Sequence, residues 1–333
     1  MPRAPRTLPS TLGDIFTIAE AAEAGVTAGR LRAADLEQPF RGVRTTVVAD
    51  REPSVREPLA ENERPPTKDE LAHAATLRMA RAYAKIMGPH EFFAGRTAAV
   101  LRKWPIEPGD DLVIAVQSPR RPPRRRGIRG VKVSPNLAHT QIHDHLRMTT
   151  PATTWAMLAG ELSVRELVSL GDAIVRVPRD ERGDLCPHSQ AATVQQLARA
   201  ITAGRRVGVG KLREALEEVR VGSASPLETD FRLDAAAGGL PEFELDVEIH
   251  DDRGTLLGIT ELVHRETRTV IEVEGDHHRR DRRQWNRDIE KYAAYAAEGW
   301  AVVRLTSKHI RGARPTAVKM VRDVLIARGW RPA

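Results

Sequence analysis

Residues 267–275, TRTVIEVEG, constrain the fold of this chain more than any other segment. Val270, Ile271 and Val273 are β-branched and call for burial in a strand. Glu272 and Glu274 interrupt them two residues apart, a spacing that projects both carboxylates from one face. Two preceding segments, FELDVEIHD at 243–251 and TLLGITELVH at 255–264, also read as strands. The linkers DRG and RE between the three have hairpin lengths, so an antiparallel meander is expected. A turn at Arg265–Glu266 brings Glu261 close to the register of Glu272. Carboxylates converging from adjacent strands repel and raise one another's pKa unless a cation neutralises them. Mg²⁺ (or Mn²⁺) fits this requirement, because Mg²⁺ takes hard oxygen ligands and keeps waters and substrate phosphates in its shell. Such an ion polarises a phosphodiester and activates water. The competing reading is one wet sheet face decorated with glutamates.

The flanking residues bear on that choice. GDHHRRDRRQWNRDIEKYAAYAAEGWAVVRLT places a tight turn, two histidines and four arginines directly after the carboxylates. A helix over 284–297 and a strand WAVVRL follow. His278 could orient a water or protonate a leaving oxygen, and Arg279, Arg280, Arg282 and Arg283 could hold a nucleic-acid backbone or form a solvated helix start. Upstream, in SPLETDFRLDAAAGG, Ser225 caps a helix, Pro226 suits its first position, Glu228 falls in its first turn and Gly238 or Gly239 ends it.

At 333 residues the chain exceeds what one core usually supports, so two or three domains are expected. With 52 Lys+Arg against 45 Asp+Glu, the net charge of +7 favours polyanionic partners such as DNA, although the same surplus also serves solubility. A single cysteine, Cys186, excludes an intrachain disulfide and fits a reducing cytoplasm. No stretch approaches the roughly 18 apolar residues of a membrane span, so a soluble, cytoplasmic protein without a membrane partner is expected.

At 15–44, two short helical patterns separated by Gly25 outline a helix-turn-helix module within residues 1–50. Thr17 and Thr27 are its caps, Arg30 and Arg32 its DNA-facing residues, and Phe40, Gly42 and Val43 the turn toward a wing. Residues 51–66 are polar and Pro-rich, as in a linker. An α+β middle domain over 67–180 opens with a helix on Leu71, Ala74, Leu77, Ala80 and Ala84. It continues with a helix near 94–103 and strands DLVIAVQ and GVKVS. Between those strands, PRRPPRRRGIRG carries Arg120, Arg121, Arg124, Arg125, Arg126 and Arg129, either a phosphate-contacting tract or a solvated loop. His139, His143 and His145 would suit a metal only on a helix. Two helices follow from 149, the second with a Ser163–Glu166 capping box and core positions Trp155, Leu158, Leu167, Leu170 and Ile174. Connecting helices occupy 181–223, and residues 224–333 form the last domain.

Taken together, SPLET, ITEL, IEVEGDHH, RDIEKYAAYAAEGW and WAVVRLT resemble the endonuclease domains related to very-short-patch-repair endonuclease, within the restriction-endonuclease-like superfamily. The resemblance covers about 100 residues. It implies an α/β/α domain with a mixed sheet, Glu228 on the leading helix, Glu261 at the position usually held by Asp, and Glu272 opening an E-x-K-like element whose lysine is replaced by Glu274. His278 looks similar to a recurring histidine of that branch. The front half, through FRGVR and TTPATTWAMLAGELSVRELVSLGDAIVR, resembles antitoxins of abortive-infection AbiE type and implies DNA binding by 15–45. The joint expectation is a metal-dependent DNA endonuclease or nicking enzyme of phage defence or repair, with room for a protein partner in a defence system. The alternative is a non-catalytic DNA-binding regulator of antitoxin type.

Overall fold

A computed structural model describes residues 5–47, 66–274 and 282–332. The fold is α+β, with eleven α-helices and three sheets among the described residues. Contacts divide the chain into two compact units, 1–157 and 158–333.

The first unit begins with β1 (Ile15–Thr17), α1 (Ile18–Glu23), β2 (Leu36–Glu37) and β3 (Val43–Thr46), and the strands form an antiparallel sheet ordered β1-β3-β2. Thr17 caps α1 in a box with Glu20, and Gly25, at φ +74°, follows its end. The expected second helix of the helix-turn-helix is absent: Arg30–Arg32 make one 3-10 turn. Gly29 weakens helix formation there, and Leu36–Glu37 are drawn into pairing with β3. Too few residues remain to offset the cost of nucleating a helix.

After that come α2 (Lys68–Ala84), β4 (Phe92–Phe93), α3 (Gly95–Leu101), β5 (Leu112–Gln117), β6 (Ile128–Val133), β7 (Thr140–His143), β8 (Leu146–Thr149) and α4 (Pro151–Met157). The strands form a five-stranded sheet ordered β6-β5-β4-β8-β7. Tyr83, Phe93, Ile114 and Met148 anchor its core, while Leu71 at the start of α2 is exposed. β5 and β6 are the two strands expected around the arginine tract, and they run parallel. His143 ends β7 of a hairpin whose turn residues Asp144 and His145 both have positive φ, so the helical spacing needed for a histidine metal site does not exist.

The second unit holds α5 (Val164–Val175), α6 (Val194–Thr202), α7 (Val209–Glu218), α8 (Pro226–Ala237), β9 (Glu244–His250), β10 (Leu256–His264), β11 (Thr269–Glu274), α9 (Arg282–Ala297), β12 (Ala301–Thr306), α10 (Ser307–Arg311) and α11 (Ala317–Ala327). The Ser163–Glu166 capping box opens α5, and Leu167, Leu170 and Ile174 are buried as expected. The sheet is ordered β12-β11-β10-β9; β9, β10 and β11 form the antiparallel meander, and β12 returns parallel to β11 after α9. One face packs Leu262, Ile271, Val273 and Leu305 against Phe231 of α8, Ile310 of α10 and Val321 of α11. The opposite face packs Val263 and Val270 against Tyr295 of α9. Helices therefore cover both faces of a mixed sheet.

Candidate functional site

The site grows out of a break in strand alternation. Phe243 and Leu245 belong to the core beneath α8 and α11, whereas Val247 and Ile249, two and four residues on, join the core beneath α9. Asp246 absorbs the switch at φ +53°, a conformation that costs a non-glycine residue free energy and clusters at functional sites. Arg179 holds Asp246 there through Nε at 2.8 Å from Oδ1. Across the meander, Leu262 pairs with Ile271, and the same register continued by one residue sets Glu261 beside Glu272. The Val273 amide donates to Glu261 Oε2, which ties the two strands together at this point.

Around these residues lies a cavity of about 230 Å³ lined by Glu228, Asp246, Thr260, Glu261, Glu272 and Lys291 among others. Glu228 reaches it from α8, whose start is fixed as the sequence implies. Ser225 caps the helix by accepting from the Glu228 amide, and Pro226 occupies its first turn. The Glu228 carboxylate accepts from the Ala224 amide at 2.6 Å. Buried Asp172 of α5 clamps α8 from behind, accepting from Thr229 Oγ1 at 2.8 Å and from Arg232 at 2.9 Å.

Glu228, Asp246, Glu261, Glu272 and Glu274 thus bring five carboxylates to one cavity. Burial, then the neighbouring Glu228 and Glu272, push the Glu261 carboxyl up to about 9. Burial raises Glu228 to about 7, opposed by the Ala224 amide and the Ser225 hydroxyl. Glu272 is only 6 % exposed and has a partner of its own: Lys291 Nζ of α9 stands 2.8 Å from Oε1 and 3.3 Å from the Ile259 carbonyl. The same ammonium lies over the Tyr292 ring at 5.1 Å. Thr260 Oγ1 is buried in the cavity wall without a hydrogen-bond partner among the described residues. Glu274 lines the cavity too, and its carboxylate is ion-paired with Arg304 of β12.

The site residues expected from sequence therefore divide. Glu228, Glu261, Glu272 and Glu274 line one cavity. His278, Arg279 and Arg280 lie outside the described residues, as do the side chains of Arg282 and Arg283, although both begin α9. The Arg30 guanidinium is paired with Asp35 at 2.7 Å and donates to the Arg6 carbonyl. Arg32 Nε donates to the Ala28 carbonyl. Arg120, Arg121, Arg124, Arg125 and Arg126 are exposed. Lys291 is the residue that the sequence reading missed. Its only signal was its i, i+4 spacing with Tyr295 on a helix between two strands, which does not reveal the face it occupies.

The donor set suits a small divalent cation: buried Glu272 and partly buried Glu261 on adjacent strands, with Glu228 beside them, all offer hard oxygens. Among the described residues no three His, Cys, Asp or Glu side chains form a ready-made metal cluster. Mg²⁺ is commonly bound through one or two carboxylates, with waters and phosphates completing its shell. Glu261 and Glu272 supply that number. No helix among the described residues is long and apolar enough to cross a membrane. No protein-family model matches the chain, and no curated protein is similar to it in sequence.

Proposed function

We propose that the second unit is a metal-dependent phosphodiester hydrolase acting on DNA, an endonuclease or nicking enzyme with a restriction-endonuclease-like α/β/α fold. The observation that carries this reading is the convergence of Glu261 and Glu272 from adjacent strands, beside Glu228 and Lys291, in one cavity. A site of this kind is costly to keep: burial pushes the carboxyls of Glu228 and Glu261 toward neutrality. Such a cost is repaid when a cation or a phosphate enters, which is why perturbed acids gather at functional sites.

Glu261 and Glu272 would hold Mg²⁺ or Mn²⁺, which when bound would supply Lewis acidity at the scissile phosphate. The chain's own groups do the rest. Glu228, with a carboxyl at about 7, takes or gives a proton near neutral pH, where a general acid or base works best. Lys291 lines the same cavity with its Nζ beside Glu272, placed to stabilise negative charge that develops on phosphoryl oxygens. In this way a lysine arriving from α9 replaces the one absent at Glu274. The alternative of a purely DNA-binding regulator leans on a helix-turn-helix whose second helix is a single 3-10 turn, and on Arg30, which is held by Asp35.

The test is cleavage of supercoiled plasmid by the purified full chain. Nicking or linearisation is expected with Mg²⁺ or Mn²⁺ and not with EDTA. Glu272→Ala should lower the rate by more than about 100-fold, since even residues behind the ligands of a metal site are worth about 10–100-fold. Metal-dependent cleavage that survives Glu272→Ala would reject the assignment.

A further inference from the structure

We infer that the β5–β6 loop of the first unit is a binding site for the phosphate backbone of duplex nucleic acid, independent of base sequence. Arg120, Arg121, Arg124, Arg125 and Arg126 are all exposed, and none is in an ion pair among the described residues. Several other arginines of the unit are engaged: Arg30 with Asp35, Arg78 with Glu37, and Arg102 with the Thr149 carbonyl. The tract is therefore distinguished by the density of its exposed guanidiniums outside any ion pair among the described residues.

The loop is folded back on its own strand. Arg120 N donates to the Gln117 carbonyl at 3.1 Å in a turn, and Arg125 bridges to Ile128. Pro122 and Pro123 lie so close to β6 that a Cβ added at Gly130 would stand 2.3 Å from the Pro123 carbonyl oxygen. Holding five like charges together in a fixed backbone costs electrostatic repulsion, which a polyanion relieves. Guanidinium forks match phosphate oxygens in a way that a point charge does not.

The surroundings decide which polyanion. No aromatic residue lies between Ser118 and Gly130, so the platform on which unstacked bases of a single strand would rest is missing. The one large apolar side chain there, Ile128, is buried, which leaves no wedge to enter a lipid surface. A duplex presents its phosphates outward at regular spacing and needs neither feature. This inference shares with the proposed hydrolase only its nucleic-acid partner, and binding is measured without divalent metal, so it stands or falls apart from cleavage.

The experiment is fluorescence anisotropy of the full chain with a labelled random-sequence duplex in EDTA, over a range of salt. Each phosphate contact adds about 0.9 to the slope of log affinity against log salt. Replacing all five arginines with Gln should flatten that slope by about 2–4 and weaken binding more than tenfold at low salt. Five Arg→Lys replacements should keep most of the slope. If the Gln protein does not fold, single Arg→Gln proteins with unchanged melting temperatures should each flatten the slope by up to about 0.9. DNA and RNA duplexes run in parallel identify which backbone is preferred. An unchanged slope, equal affinity for single strands, or binding to anionic phospholipid vesicles without duplex binding would overturn the inference.

Discussion

Glu261 and Glu228 make a stability signature at the scale of single residues. Both folded-state values, about 9 and about 7, exceed the ordinary 4.5 of a glutamate, so the folded chain binds more protons than the unfolded one between those limits. Stability is then fully present below about 4.5 and declines as pH rises toward 9. The metal-free protein should melt at progressively lower temperature from pH 5 to pH 9. Glu261→Gln should flatten that decline and melt higher than the parent at pH 8, by about 2–4 °C for each kcal/mol recovered. Parallel melting profiles for the two proteins would contradict the burial of this acid. Lys291 gives the complementary test, because removing one partner of a buried pair strands the other charge. Lys291→Met should cost about 3–5 kcal/mol in denaturant unfolding of the metal-free protein, and Lys291→Arg much less. The sequence placed Glu261 and Glu272 on adjacent strands but not in register: four residues, 265–268, separate the paired His264 and Thr269, whereas the expected turn at Arg265–Glu266 would have set Glu261 opposite Val270. Lys291 was not legible, because nothing local says which turn of α9 crosses the strands at that depth.

Among the elements, the meander was the most readable part of the chain. Strands bounded by DRG and RE, and a helix start written as Ser-Pro-Leu-Glu, appear within a residue or two of their expected limits. The break in alternation at Asp246 was hidden, since the run reads as an ordinary strand. The parallel pairing of β5 and β6 was hidden as well, because strands separated by a short loop more often return antiparallel. The helix-turn-helix failed for a tertiary reason: Leu36 and Glu37 gain strand partners in β3 that a short, glycine-weakened helix cannot match. One contact between elements is directly testable. A Cβ at Gly258 of β10 would lie 2.7 Å from Lys291 Cγ and 2.8 Å from the Tyr295 hydroxyl, so α9 packs on this strand only because the side chain is missing. Gly258→Ala should destabilise the protein by about 1–3 kcal/mol, as overpacking does, and lower cleavage by displacing Lys291. A fully active, equally stable Gly258→Ala protein would show that α9 does not approach this closely.

For the molecule as a whole, two compact units carry two different chemistries, an exposed arginine loop in one and a buried acidic cavity in the other. Defects in them should separate kinetically. Glu272→Gln should bind duplex as the parent does without cutting it, whereas the five-arginine variant should cut with a raised KM and a kcat close to the parent's. A loss of kcat in the arginine variant would show that the loop takes part in the chemical step. The central claim, that Glu261 and Glu272 form a cation site, is met most directly by an anomalous-difference map from crystals of the full chain grown with Mn²⁺. A peak between these two carboxylates, lost in Glu272→Ala, is the predicted result. A cavity without density at saturating Mn²⁺, or a peak only elsewhere on the chain, would contradict it.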